Sequence, residues 1–348
     1  MPTPPDIDVI APNLKRRLSG VTSTIVRLVP VQAREIDIVT TGPGLPEDLP
    51  HIPISWVATL PRTRWRVWHA RRNTEMLAGV LLRHVLRRRF KLLFTSAAQR
   101  RHSGYTRWLI GRMDALIATS ERSASFLDHA AKVIHHGIDL QAFAPARDKA
   151  TLRAELGLPN GPLVGMFGRI REQKGSDVFV AAMLSVMAQR PDAHALIIGQ
   201  VTPKERAFGQ ALQARIADAG MAGRFTFVDY LAWDDLVRYY RALDLFVAAS
   251  RVEGFGLTPL EAMASGVPAI ATPAGAYAEQ IVDGETGRIV PAGDSAALAL
   301  ALTDALNDPA RLKVWGQAGR ARVEQHFSIE REASEINAVY CALLQDGT

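Results

Sequence analysis

Two doubly wound α/β units, each a parallel sheet with crossover helices on its faces, are the fold class that this sequence predicts. Three observations predict it. Short apolar runs bounded by Gly, Pro, Asn or Asp alternate with longer amphipathic stretches along all 348 residues, as parallel strands require, because each needs a helix-length return. The length suits two domains of roughly 150 residues each. The charge also changes sign near the middle: residues 1–150 carry 23 basic and 12 acidic side chains, the remainder 18 and 23.

In the first half, runs rich in aliphatic and β-branched residues predict strands at 8–11, 36–40, 54–59, 91–95, 115–119 and 132–135. Met76, Leu77, Val80, Leu81, Leu82, Val85 and Leu86 recur at spacings of three and four, which predicts a helix over 70–89 with arginines on its other side. Further helices are expected over 105–113 and 121–129. Between 139 and 161 the pattern weakens around Pro145, Pro159 and Gly161. A boundary placed there divides the chain into domains 1–150 and 151–325, with a terminal helix at 326–348 packing back toward the first domain. The second half restarts with strands at 163–167, 194–198, 224–228, 244–248, 267–271 and 287–290. Its helices are expected at 175–189, 203–219, 233–241, 257–265, 274–282, 294–306 and 309–325. Ligands of such sheets gather at the carboxyl ends of the strands, and a cleft between the two units is the expected place.

Composition narrows the class. With 48% hydrophobic and 22% charged residues, the chain can build buried cores and is neither disordered nor fibrous. Its single cysteine, Cys341, allows neither an internal disulfide nor a thiolate metal cluster. The opening MPTPPDIDVI lacks the features of a secretory or transit segment, and no apolar run approaches the ~18 residues of a membrane span. A cytoplasmic protein, or one held on a membrane surface, is the expectation. Residues 60–112 hold 14 basic side chains and one acid, Glu75, together with Trp65, Trp68 and Trp108. This segment reads as a solubilising face over core tryptophans, as a surface for anionic lipid or a lipid-linked acceptor, or as a nucleic-acid surface.

Two windows carry the chemistry. In 244–275, DLFVAASRVEGFGLTPLEAMASGVPAIATPAG, a buried strand ends near Ser250, a glycine-containing turn follows, and Pro259 fits the first turn of a helix. The amides of Gly256, Leu257 and Thr258 then form an anion site. Glu253 and Glu261 approach one ligand from different heights, and a carboxylate beside a phosphate site suits the hydroxyls of a ribose or hexose. In 162–175, PLVGMFGRIREQKG, Arg169 and Lys174 flank a strand end and can close over adjacent phosphates, neutralising a departing diphosphate. Neither window supports the nucleic-acid reading.

With HHGIDLQAFAP at 135–145, GRIREQKG at 168–175 and EGFGLTPLEAMASGVPAIATPAGA at 253–276, the chain resembles the family 4 retaining glycosyltransferases. These have the GT-B architecture, two Rossmann-like domains facing each other across a cleft. SWVATLPRTRWRVWHARRNTEM at 55–76 and KLLFTSAAQRRHSGYTRWLIGRMDALIATS at 91–120 narrow the resemblance to bacterial lipopolysaccharide core mannosyltransferases. That resemblance implies a GDP-mannose donor, a lipid-linked inner-core acceptor, and a peripheral position at the inner face of the inner membrane. It implies an acceptor-side N-terminal domain and a C-terminal domain that binds the nucleotide sugar. It assigns Arg169 and Lys174 to the diphosphate, Glu253 to the transferred hexose, Glu261 to the ribose, and His69 to the donor sugar near the reacting carbon. Gly168, Gly254, Phe255, Gly256, Leu257 and Thr258 complete the donor-binding set.

The first loop departs from the family's glycine pair. Here only Gly20 supplies an unrestricted backbone, and Lys15, Arg16, Ser19 and Gly20 are the expected acceptor-side residues, the three consecutive cations 15–17 pointing to an anionic acceptor. No role is assigned to His102; His135 and His136 are read as shaping the cleft. No DxD or Asp/His cluster stands where a metal is needed, so transfer without metal or other cofactor is expected. Use of another nucleotide sugar on the same scaffold is the alternative.

Overall fold

The computed structural model describes residues 6–16 and 20–345. The chain divides into two compact units, residues 1–137 with 329–348, and residues 138–328. The boundary expected at 150 therefore lies at 137/138. The reason is local: Ile138 donates its N–H to the Phe327 carbonyl at 2.8 Å, and Ile138 and Phe143 join the core of the second unit. The terminal helix, Ile329–Gln345, belongs to the first unit; Ile336 and Tyr340 pack there with Val9, Ile25 and Val67.

The first unit holds six strands, β1 Val9–Pro12, β2 Ile38–Thr41, β3 Arg66–Ala70, β4 Phe90–Ser96, β5 Ala115–Ala118 and β6 Lys132–Val133. They form one sheet in the order β2-β1-β3-β4-β5-β6, with every pairing parallel. Both faces are covered. Ile10, Trp68, Leu92 and Phe94 face one core layer and Val9, Val67, Leu93 and Ile117 the other, which is why these strands read as continuous apolar runs.

Several expectations fail in this unit. The helix expected over 121–129 is only Glu121–Ala124. Residues 54–59 form a helix, Ile54–Thr59, instead of a strand. Only Val57 is buried there, while Ile54 and Trp56 are about half exposed, so one apolar contact per turn satisfies the segment and its β-branched and aromatic content does not decide. The strand is Arg66–Ala70, buried at every position. Its sequence, RVWHA, hides it behind two ionisable residues, of which Arg66 donates from Nη1 to the Pro61 carbonyl at 2.8 Å. The helix expected over 70–89 runs from Asn73 to His84. Arg87 then adopts φ 50°, a left-handed conformation that ends the helical path, so Arg87, Arg88 and Arg89 lie in the connection to β4.

The second unit repeats the plan with β7 Leu163–Phe167, β8 His194–Ile198, β9 Phe225–Val228, β10 Leu245–Ala248, β11 Ala269–Ala271 and β12 Gly287–Ile289. Their order is β12-β11-β10-β7-β8-β9, again all parallel. Along β10, Leu245 and Val247 enter one core layer while Phe246 and Ala248 enter the other. The central pair β7 and β10 carries the two sequence windows at its carboxyl ends, where open α/β sheets bind ligands.

Candidate donor site

After β7 the chain turns at Gly168 (φ 129°), passes the exposed Arg169, and makes a short 3₁₀ turn, Glu172–Lys174, before the helix Ser176–Gln189. The turn closes on Gly175, φ 73°, where a Cβ would lie 2.0 Å from the Ala249 carbonyl oxygen; only glycine lets this loop lie against the end of β10. From the other side, Arg251 makes two hydrogen bonds to the Asp177 carboxylate at 2.8 and 2.7 Å and a third to the Glu172 carbonyl at 2.6 Å. The Gln173 carbonyl accepts from the Arg251 N–H, and the Gln173 side chain donates to the Val252 carbonyl. The loops that follow β7 and β10 are thus one cross-linked surface.

That cross-linking brings Lys174 and Glu253 into an ion pair, each side chain 18% exposed. Glu253 also accepts from the Gly254 N–H at 3.1 Å and faces the Tyr277 hydroxyl at 3.4 Å. Tyr277 is fully buried, and burial, reinforced by the Glu253 charge, pushes its phenol far above the ordinary range; it remains a neutral donor. Gly256, φ 83°, has no room for a side chain, since a Cβ would sit 2.3 Å from the Tyr277 ring, and its carbonyl accepts from Gln280 at 2.8 Å. Phe255 is buried, and so is Pro259 in the first turn of the helix Thr258–Ala264. Among the described residues no backbone carbonyl accepts from the N–H of Gly256, Leu257 or Thr258, so the expected anion-binding amides are available. Glu261, in the first turn of that helix, accepts from the Tyr240 hydroxyl at 2.7 Å. Burial, with Glu261 beside it, holds the Tyr240 phenol well above its usual range, so Tyr240 too acts as a fixed donor.

Gly168, Arg169, Lys174, Glu253, Gly254, Gly256, Leu257, Thr258 and Glu261 therefore gather at the carboxyl ends of β7 and β10. Arg169 makes no hydrogen bond or ion pair among the described residues. Sequence reasoning missed Tyr240, Tyr277, Asp177, Arg251 and Gln280, which orient the site. Their only sequence signal was proximity to the two windows.

The first unit holds the other expected residues. His69 is wholly buried, with Nδ1 against the Tyr340 hydroxyl and Nε2 against Thr95 Oγ1, both at 2.6 Å. Both ring nitrogens are engaged within this unit. Burial, then the nearby Arg71, holds its pKa well below the imidazole range, and it works as a neutral link in the core. His136 bonds to the buried Glu332 at 2.7 Å, and His102 lies 3.4 Å from Ser96 Oγ. Lys15 and Arg16 are exposed beyond β1. Before them, the Asn13 side-chain oxygen accepts from Arg72 at 2.8 Å and Thr22 at 3.2 Å. Gly20 begins the helix Gly20–Gln32. Ser19, like Arg17 and Leu18, lies outside the described residues. Among the described residues no three His, Cys, Asp or Glu are grouped to hold a metal ion, and no helix is long and apolar enough to cross a membrane.

Residues 148–322 match the family model of the group 1 glycosyl transferases. The chain is 52% identical to the lipopolysaccharide core biosynthesis mannosyltransferase LpcC of Rhizobium leguminosarum bv. viciae, with 99% of each chain covered. The chain belongs to the group 1 glycosyltransferases. It is also 49% identical to the corresponding mannosyltransferase LpsB of Rhizobium meliloti (strain 1021), over 98% of this chain and 99% of that one. Among solved structures, Anabaena HepE in complex with UDP matches 97% of this glycosyltransferase and 100% of its own chain with a TM-score of 0.85 at 19% identity. That likeness extends the GT-B fold over both units.

Proposed function

We propose that this glycosyltransferase moves mannose from GDP-mannose to the inner core of lipopolysaccharide or a related lipid-linked acceptor, with retention at the anomeric carbon. The observation that carries the reading is the Lys174–Glu253 pair beside the unpaired Arg169 and the free amides of 256–258. The sugar and the acceptor come from the relatives named above, about half identical over almost the whole chain.

Arg169, Lys174 and the amides neutralise the donor diphosphate as it leaves. A diphosphate competes with Glu253 for the Lys174 ammonium, and this competition releases the carboxylate to accept from the hexose hydroxyls. Glu261, steadied by Tyr240, accepts from the ribose diol. Neither glutamate acts as a nucleophile; the acceptor hydroxyl approaches the face from which the diphosphate departs and passes its proton to a leaving phosphate oxygen. The two cations supply the charge stabilisation, and no metal is required.

The reading places the protein at the inner face of the inner membrane, held there through the first unit. Arg62 donates to the Leu86 carbonyl at 3.1 Å and Arg88 to the Leu60 carbonyl at 2.8 Å, which sets residues 54–62 beside 85–89. Ile54, Trp56, Val85 and Leu86 are exposed there alongside Arg62, Arg87 and Arg89, and this mix of apolar and cationic side chains suits an anionic bilayer surface. Trp65, expected as an anchor, is half-buried beneath Lys91, and Trp108 lies under the Arg112 guanidinium at 3.7 Å.

The test is a donor screen with GDP-mannose, GDP-fucose, UDP-glucose, UDP-galactose and ADP-heptose on a deacylated lipopolysaccharide core, with the linkage read by NMR. GDP-mannose alone giving an α-linked product supports the proposal, and preference for another donor overturns it. Dialysed enzyme is expected to keep its activity in EDTA.

A further inference from the structure

The carboxyl end of β4 carries a second cluster that the donor chemistry does not use. A cavity of about 480 Å³ is lined there by Asn73, Arg100, Arg101, His102, Ser103 and Thr106. Its size falls within the range of small-molecule sites, ~300–1,000 Å³. The neutral part of the lining is already ordered: Asn73 donates to Thr106 Oγ1 at 2.8 Å, and the Ser103 and Thr106 hydroxyls are 3.0 Å apart. The charged part is not. Arg100 and Arg101 are exposed and make no hydrogen bond or ion pair among the described residues, and no carboxylate lines the cavity. The one acid of residues 60–112, Glu75, is buried and already bound by Arg72 and the Arg71 N–H. Asp128 lies near enough to act on His102 but is shared with Arg107. The cavity thus has two guanidinium groups and an imidazole without a counterion of their own.

We propose that this cavity binds an oxyanion of the acceptor saccharide, a carboxylate or a phosphate, and so selects acidic acceptors. The inference rests on the glycosyltransferase reading above and deepens it by assigning the residues that read the acceptor's charge. Guanidinium forks match both oxyanions in bidentate geometry, and a neighbouring His adds a further donor once an anion raises its proton affinity. Arg100 and Arg101 are binding residues in this scheme, with no part in the departure of the diphosphate.

The experiment uses the full-length chain with Arg100→Gln, Arg101→Gln and the double variant. The double variant is expected to raise KM for deacylated lipopolysaccharide core about tenfold or more with kcat and GDP affinity little changed, the signature of lost ground-state binding. Carboxyl-reduced core and phosphatase-treated core identify the source: the treatment that brings wild type down to the variant names the oxyanion. An unchanged acceptor KM in the double variant, or wild-type use of both treated acceptors as readily as the untreated one, overturns the proposal. A second readout needs no turnover. Galacturonate or inorganic phosphate is expected to shift the His102 ring protons in wild type and not in the double variant; no shift with either overturns the site. A wild-type chain that transfers from no donor sinks the functional reading instead, and the His102 titration then decides the cavity by itself.

Discussion

Glu253 is held by three groups of different kinds: a cation, a backbone N–H and a neutral phenol. Glu253→Gln keeps the shape and removes the charge, so the fold survives while the sugar loses its acceptor. A loss of about 3 kcal/mol in transition-state stabilisation, roughly a hundredfold in kcat/KM, is expected, and unchanged kcat/KM for GDP-mannose would exclude the role. Glu261→Gln is expected to weaken GDP itself, measured by calorimetry, because its proposed partner is the ribose. Arg169→Ala is expected to lower the ratio of GDP to guanosine affinity; an unchanged ratio means that this side chain does not read the diphosphate. His69 predicts a pH effect of another kind. Its folded pKa is depressed by burial, so the unfolded chain takes up the proton first, and the stability it confers is present above about 6.5 and lost as pH falls below it. The unfolding free energy should therefore decline on acidification through that value, with a shallower slope in His69→Asn. Equal slopes would show that the ring does not titrate differently in the folded state.

At the scale of elements, the two loops after β7 and β10 are held as one surface by Arg251 and Asp177, which are about one third exposed. Asp177→Asn leaves the helix start intact but halves the bidentate grip. The expected result is a several-fold rise in donor KM with a fall in melting temperature of only about 2–4 °C, since a partly exposed pair contributes little stability. A large loss of stability with unchanged donor KM would make the pair structural alone. This is also where the sequence was uneven to read. β7, β8 and β10 stood out as apolar runs bounded by glycine or charge, and the site windows lay at the ends of β7 and β10. β3 did not, because Arg66 and His69 find their partners only in the folded chain. Residues 54–59 misled because six residues are too few for periodicity to separate a helix from a strand. Tyr240 and Tyr277 escaped notice because a phenol's role as a fixed donor depends on burial, which no local pattern displays.

For the whole molecule, the excess of cations lies in residues 1–150, the half for which the acceptor and membrane contacts are proposed. Arg88 is partly buried and tied to the Leu60 carbonyl, so the membrane test leaves it in place and changes Arg87 and Arg89 to Gln with Trp56→Ser. This variant is expected to sediment less with phosphatidylglycerol vesicles and to turn over membrane-embedded acceptor more slowly, with soluble deacylated acceptor used as before. Added salt should weaken wild-type sedimentation in the same direction. Equal sedimentation at low and high salt would assign these residues to another surface. The chain path carries a practical corollary. Residues 138–328 form one uninterrupted segment whose first and last residues meet, Ile138 hydrogen-bonded to Phe327. A segment with adjoining ends is a natural cassette: exchanging it between relatives at those two junctions would carry over the proposed donor site whole and leave the proposed acceptor side unchanged.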